Sequence, residues 1–425
     1  MIALKGAVII PAGIIKDGVV VVDGRKIAYA GRVGSGFKPD PTRINIIDCR
    51  GKFICPGFID VHVQGAGGCD ILDGTYEAIN TISKTLAKNG TTAFLATTVV
   101  RVHSPKSIVR SQKHLKAVAE AVNRGTDGAE VLGTHLEGPF INPKKCGMIK
   151  KENIYEVKRK KEKGKINEII DACRDSLKMM TIAPELPGAI DIIKQLKKNK
   201  IVASIGHTDA TYEEAVKGFD AGITHTTHMF NAMRGLHHRE PGAAGAVLTD
   251  DRISVQLIAD GRHLHPAVVK LVVKQKGAER IALITDSMSA AGLPDGRYVY
   301  NDLKYESKGG LAFYSDGRGE QCSPPTFIGT ALTLNKIVKR IVDMGIVDLK
   351  DAVRMASQTP AEVLGIEGKK GSIEVGKDAD IIVMDKNCDV MMTIINGCVF
   401  ASERSERSNL LGARRLLRLP SAASQ

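Results

Sequence analysis

The chain of 425 residues contains no tryptophan, and only 4% of its residues are aromatic. Platforms on which unpaired bases could stack are therefore not evident. No apolar run approaches the roughly 20 residues that a membrane-spanning helix needs. The N-terminal MIALKGAVIIPAG lacks the charged and apolar regions of a secretory leader. The eight cysteines (49, 55, 69, 146, 173, 322, 388 and 398) include no CxxC pair and no framework spacing, so they read as free thiols in a reducing cytoplasm. No GxGxxG follows the first strand-like run, which argues against an open nucleotide-binding sheet.

What is present is basic. The net charge is +13, but it is concentrated in two places. Residues 144–165 carry ten basic and three acidic side chains, and the segment 401–425 carries five arginines and two glutamates. The first reads as a solvated Lys/Glu face. The second differs in composition from everything before it and reads as a loosely attached, disordered end. What remains is close to neutral, so binding to nucleic acid is not expected.

Eight short apolar runs alternate with helix-patterned segments between residues 52 and 287. They are 52–62, 91–100, 129–138, 177–186, 200–208, 222–230, 252–260 and 280–287. Such alternation predicts right-handed βαβ units, and eight of them predict an α/β fold of the (β/α)8 TIM-like barrel type. Residues 1–52 and 371–400 have a different texture of short strands split by glycines. They are expected to pair as a small β-sandwich domain built from both chain ends, leaving 53–370 for the barrel. Residues 297–316 read as a further β excursion.

In such barrels the catalytic groups stand at the C-terminal strand ends. Those positions hold His62, Glu137, His207, His228 and Asp286. His207 and His228 are 21 residues apart, about one βα repeat, so both imidazoles should face one mouth. Two histidines and a carboxylate with an open position form a catalytic metal site. Such a metal lowers the pKa of bound water to about 7, and the resulting hydroxide needs a carboxylate to carry its proton. Asp286 is placed for that task. His225 is offset from His228 by an odd number, which on a strand turns it to the other face, so it is read as no ligand.

The stretches PGFIDVH, HLEGPF, GHT, THMFNAM, ADGRH and TDSMSAAGLPDG occur in that order. Together they resemble the amidohydrolase superfamily and, within it, the N-acetylglucosamine-6-phosphate deacetylases, from about residue 50 to 385. The resemblance implies that Glu137, His207 and His228 bind a divalent metal, about one per chain, with zinc first and iron, cobalt or manganese as alternatives. It implies Asp286 as general acid/base and hydrolysis of the acetamide of a phosphorylated amino sugar. It further implies that Asn231, Ala232, Arg239 and His263 hold that sugar phosphate, with Arg239 reaching across a homodimer.

Two departures stand out. Superfamily members with two metals carry His-x-His after the first strand, whereas this chain reads His62-Val63-Gln64. A second site through His62 is therefore expected to be weak. Ile149 stands where many relatives place a substrate-contacting histidine, which keeps another N-acyl amino sugar or a cyclic amide open as substrate. A metal-free binding barrel is the remaining reading, but it would not need the full ligand set.

Overall fold

The computed structural model describes residues 1–32, 44–100, 105–155, 164–300, 303–314 and 327–402. The basic residues 156–163 and the terminal residues 403–425, both singled out above, lie outside the described residues.

Eight strands form one parallel sheet in sequential order. They are β1 (Phe58–Val63), β2 (Thr91–Thr98), β3 (Glu130–Glu137), β4 (Leu177–Ile182), β5 (Val202–Ile205), β6 (Ile223–Thr226), β7 (Ser254–Leu257) and β8 (Ile281–Leu283). Every residue of β1, β2 and β8 is buried, as a parallel sheet covered on both faces requires. The ends of the sheet meet just past β8. Asp286 N–H donates to the His62 carbonyl (3.0 Å), Val63 bridges Ser287, and the buried Asp60 accepts from the Thr285 hydroxyl (2.6 Å). This makes the ring a (β/α)8 barrel.

Helices cover the outside of the ring, and the local sequence explains where they start and stop. After β1, Thr75 caps Tyr76–Lys88 by accepting from Ala78 N–H, and Asn89-Gly90 ends it, with Gly90 at φ 85°. Ile79, Ile82 and Leu86 lie on one face of that helix and are fully buried. Each such side chain contributes about 1.5–3 kcal/mol on burial. After β5, Thr211 and Glu214 form a reciprocal capping box at the head of Tyr212–Ala221.

The chain ends build a seven-stranded sheet in the order Cys398–Ser402, Val390–Ile395, Ile381–Met384, Asn45–Pro56, Ile2–Ile10, Gly13–Asp23, Lys26–Arg32. Its strands pair antiparallel except for Ile2–Ile10 with Asn45–Pro56. Val20, Val22 and Ile27 share one apolar core with Ile381, Val383 and Ile394, although their strands stand far apart in that order. The ladder therefore folds over on itself, and Ile27 N–H donating to the Lys377 carbonyl (3.0 Å) ties the fold-over. The last strand runs to Ser402, two residues into the segment expected to be a tail.

A buried cation is one of the links between sheet and barrel. Lys370, 6% exposed at its side chain, places Nζ 2.6 Å from Asp380 Oδ2 and 2.8 Å from Glu130 Oε2 at the start of β3. Burial works against the charge on Lys370, and the Asp380 and Glu130 carboxylates outweigh it and raise its pKa. Lys370→Met strands the buried Asp380 carboxylate and is expected to cost about 3–5 kcal/mol. The check is the urea midpoint, and adding Asp380→Asn should recover part of the loss. An unchanged midpoint in the single variant would show the joint contributes nothing.

Candidate active site

The strand ends bring Glu137, His207 and His228 together, all buried, with one ligand atom from each lying within 4.8 Å of the others. His207 Nε2 and His228 Nε2 each lie 3.0 Å from Glu137 Oε1 and 3.1 Å from one another. Their other ring nitrogens fix the tautomer. His207 Nδ1 is 2.8 Å from the Lys145 carbonyl, and His228 Nδ1 is 3.2 Å from the Asn231 carbonyl. A carbonyl only accepts, so both Nδ1 atoms carry the proton and both Nε2 lone pairs face the carboxylate. Three electron-pair donors converging on one buried point fit a divalent cation and little else. Burial also holds the His228 pKa down, which suits a neutral ligand.

His207, His228 and Asp286 have φ of 46°, 24° and 48°. Left-handed backbone is uncommon for residues other than glycine and gathers where geometry is imposed by function. At each of these strand ends it turns the side chain toward the mouth. Asp286 Oδ1 lies 3.2 Å from His62 Nε2 and accepts from Gln64 Nε2 at 3.0 Å. Gln64 Nε2 also stands 3.4 Å from Glu137 Oε2. Gln64, which stands in place of the second histidine of His-x-His, thus ties the Asp286 carboxylate to that of Glu137.

His62 Nδ1 pairs with Gln256 Oε1 at 3.0 Å, and Gln256 Oε1 also accepts from His228 N–H at 3.3 Å. Burial opposes a charge on His62, but the carboxylates of Asp286 and Glu137 push its pKa up to about 9. Among the described residues, His62 is not part of the ligand cluster. Neither is His225, which pairs through Nδ1 with Ser254 Oγ on the neighbouring strand (2.7 Å) and is held by burial at about 3.

The residues expected to hold substrate follow the ends of β6 and β7. The Asn231 carbonyl orients His228, and the Ala232 carbonyl accepts from Thr208 N–H (3.1 Å). His263 pairs with Asp260 and lies against Phe327, ring centroids 4.9 Å apart. Arg239 sits on the exposed loop 235–240. Ile149 is buried against Val99, Ile141 and Ile154.

Sequence reasoning gave no role to Asp60, Gln256 or Glu185. Glu185 accepts from Asn142 Nδ2 (2.9 Å), Asp209 N–H (2.7 Å) and the Thr208 hydroxyl (2.6 Å), so it laces together the loops after β3, β4 and β5. The basic segment also acquires a part, since its Lys145 carbonyl sets the His207 tautomer. Asp60 and Gln256 are buried polar residues within β1 and β7, and Glu185 follows β4; their partners lie on other strands and loops, so no local pattern marks them.

Beside Gln64, Asp70 caps a short 3-10 turn through Oδ1, accepting from Leu72 N–H at 2.8 Å, while its buried Oδ2 has no partner among the described residues. Burial, helped by Asp73, pushes the Asp70 pKa up to about 8. The native chain therefore holds a proton that the unfolded chain releases above about pH 4. The associated stabilisation is full below that pH and is lost as pH rises through 8. Asp70→Asn, which does not titrate, should exceed wild type in stability at pH 8 by on the order of 1 kcal/mol or more. The gap should close toward pH 4, as thermal melts across that range would show; a gap independent of pH would mean that Asp70 is ionised in the fold.

Comparison with known proteins gives this arrangement its family. The model of the amidohydrolase family matches residues 53–399. The chain belongs to the amidohydrolase family. Among amidohydrolases it is 34% identical over 402 residues to the N-acetylglucosamine-6-phosphate deacetylase of Bacillus subtilis, covering 94% of this chain and 97% of the relative. It is 35% identical over 376 residues to the N-acetylgalactosamine-6-phosphate deacetylase of Escherichia coli O157:H7, covering 88% and 94%. The crystal structure of N-acetylglucosamine-6-phosphate deacetylase from Pasteurella multocida superposes with a TM-score of 0.83 at 27% identity, covering 94% and 99%. Family and donor set together support a divalent metal at Glu137, His207 and His228.

Proposed function

We propose that this amidohydrolase removes the acetyl group of N-acetylglucosamine 6-phosphate, giving glucosamine 6-phosphate and acetate. The observation that carries the reading is the meeting of three ligand atoms with Asp286 at one mouth, in a chain whose relatives are deacetylases of amino-sugar phosphates. A divalent ion held by Glu137, His207 and His228 supplies Lewis acidity, acidifying water and polarising the amide carbonyl. Zinc suits two imidazoles and one carboxylate, and one ion per chain suits Gln64 in place of a second ligand.

The chain's own groups do the rest. Asp286 takes a proton from the attacking water as its oxygen bonds to the acetyl carbon, then returns a proton to the sugar nitrogen as the C–N bond breaks. Gln64 and His62 hold the Asp286 carboxylate for both transfers. Asn231 and Ala232 border the sugar, and His263 faces its phosphate. Arg239 serves the phosphate of a neighbouring subunit in a homodimer, which suits its exposed loop. We further read residues 1–52 with 371–400 as the small β domain and 53–370 as the catalytic domain. A phosphorylated substrate and the free thiols suit a cytoplasmic location.

The test is acetate release from N-acetylglucosamine 6-phosphate, N-acetylgalactosamine 6-phosphate and both unphosphorylated sugars, with metal content measured on the same preparation. Preference for the galactosamine phosphate would favour the second reading, which the Escherichia coli relative supports. Release from neither phosphate by metal-loaded protein would refute the proposal. Arg239→Ala should lower kcat/KM at least tenfold on the phosphorylated sugar alone. An equal loss on the unphosphorylated sugar would remove Arg239 from phosphate binding.

A further inference from the structure

Asp260 lies just past β7 and uses both carboxylate oxygens. Oδ1 accepts from the Arg262 and His263 backbone N–H groups, each at 2.8 Å. Oδ2 stands 2.7 Å from His263 Nδ1, and the Asp260 side chain is fully buried while that of His263 is 6% exposed. The Arg340 guanidinium holds the turn from behind by donating to the Asp260 carbonyl at 3.0 Å and the Gly309 carbonyl at 3.1 Å. With Nδ1 committed to Asp260, Nε2 is the end of the ring left to meet a ligand.

The ring packs against a strand that reaches the site already described. Its neighbour Phe327 opens the strand Phe327–Thr330, in which Thr330 N–H donates to the Asp286 carbonyl at 2.9 Å. Gly329, at φ 127°, passes so close that a Cβ there would meet the same carbonyl at 2.6 Å. The Asp260–His263 pair is thus a short step along one strand from the proton-carrying carboxylate.

We propose that Asp260 is a positioning residue that holds His263 as a cation, so that Nε2 donates a charge-assisted hydrogen bond to the anionic end of the substrate. The inference rests on the phosphorylated-sugar reading above and deepens it. Because Oδ2 only accepts, Nδ1 must carry a proton. A buried carboxylate in contact with the ring favours the second proton on Nε2, since that makes an ion pair rather than an isolated buried anion. An aspartate is needed here rather than an asparagine. In the Asp260→Asn variant the two backbone N–H groups would claim the amide oxygen, its NH2 would face Nδ1, and the ring would become neutral with Nε2 still a donor. The geometry would survive and the charge would not.

The experiment compares wild type, Asp260→Asn, His263→Gln and the double variant on N-acetylglucosamine 6-phosphate and on N-acetylglucosamine, with metal content as a control. Asp260→Asn should raise KM for the phosphorylated sugar at least tenfold, leave kcat within threefold and leave kcat/KM for the unphosphorylated sugar unchanged. On the His263→Gln background it should add nothing, because Asp260 acts through the ring. Equal losses on both sugars, or effects that simply add, would overturn the inference. If Asp260→Asn fails to fold, His263→Gln carries the test alone: it keeps a donor without charge and must reproduce the KM rise. If wild type hydrolyses neither sugar, the parent reading fails by itself. Inorganic phosphate then decides the inference. A thermal shift by phosphate that is lost in Asp260→Asn supports it, and a shift equal to wild type overturns it.

Discussion

Asp286→Asn should lower kcat by roughly 10²–10⁴-fold, the usual scale for losing a positioned general acid/base, while metal content stays near wild type. The amide is nearly isosteric and can still accept from Gln64 Nε2, so the left-handed turn and the closure between His62 and Asp286 should persist. What disappears is the capacity to hold a proton between attack and departure of the amine. Because that capacity is used in the transition state and not in binding, KM should change little. The measurement is steady-state acetate release beside metal analysis. Turnover within a few-fold of wild type would remove Asp286 from the chemistry, whereas metal loss in step with activity would recast it as a ligand.

The second large effect is at Glu137. Both imidazole Nε2 atoms approach its Oε1 at 3.0 Å, so it is the one anionic donor of the ligand cluster. Glu137→Gln keeps the shape but replaces the charge with a dipole. Metal affinity should fall beyond the 10–100-fold typical of losing an outer hydrogen bond to a ligand, and activity should fall with it. The as-isolated wild type should also lose thermal stability on chelation, since a metal present at 1,000 times its Kd contributes about 4 kcal/mol to the native state. Chelator should leave the melting temperature of Glu137→Gln nearly unmoved. A variant that retains stoichiometric metal through dialysis would show that the two histidines suffice.

The alternation of apolar runs and helix patterns made the barrel legible, because strand and helix periods differ and glycine or Asn-Gly marks the helix ends. The strand ends then made His62, Glu137, His207, His228 and Asp286 legible, since a (β/α)8 barrel fixes which end of a strand meets the mouth. His225 was separable from His228 by parity alone. The lacing was not legible. Gln64 looked like a failed ligand because its amide gains meaning only where two carboxylates from β3 and the end of β8 converge, more than 70 residues away in either case. Asp260 also serves a turn, accepting from the Arg262 and His263 N–H groups. Its second oxygen matters only once the turn folds His263 back over it. The company Ile149 keeps was not legible either, since its cluster with Val99, Ile141 and Ile154 joins residues from separate loops.

The seven-stranded sheet sets an order of events during synthesis. The strand Asn45–Pro56 pairs on one side with Ile2–Ile10, available early, and on the other with Ile381–Met384, where Pro56 opposes Ile381. More than 300 residues separate those partners. At a ribosomal rate of about 5–20 residues per second, the inner edge of that strand waits roughly 15–65 s for its neighbour. During that time it offers unpaired N–H and C=O groups to any passing strand, the hazard of every open sheet edge. The barrel can close on its own schedule in the interval. The sheet cannot, so a chain truncated anywhere before residue 381 leaves its N-terminal strands as an open template, and aggregation of such fragments should begin there.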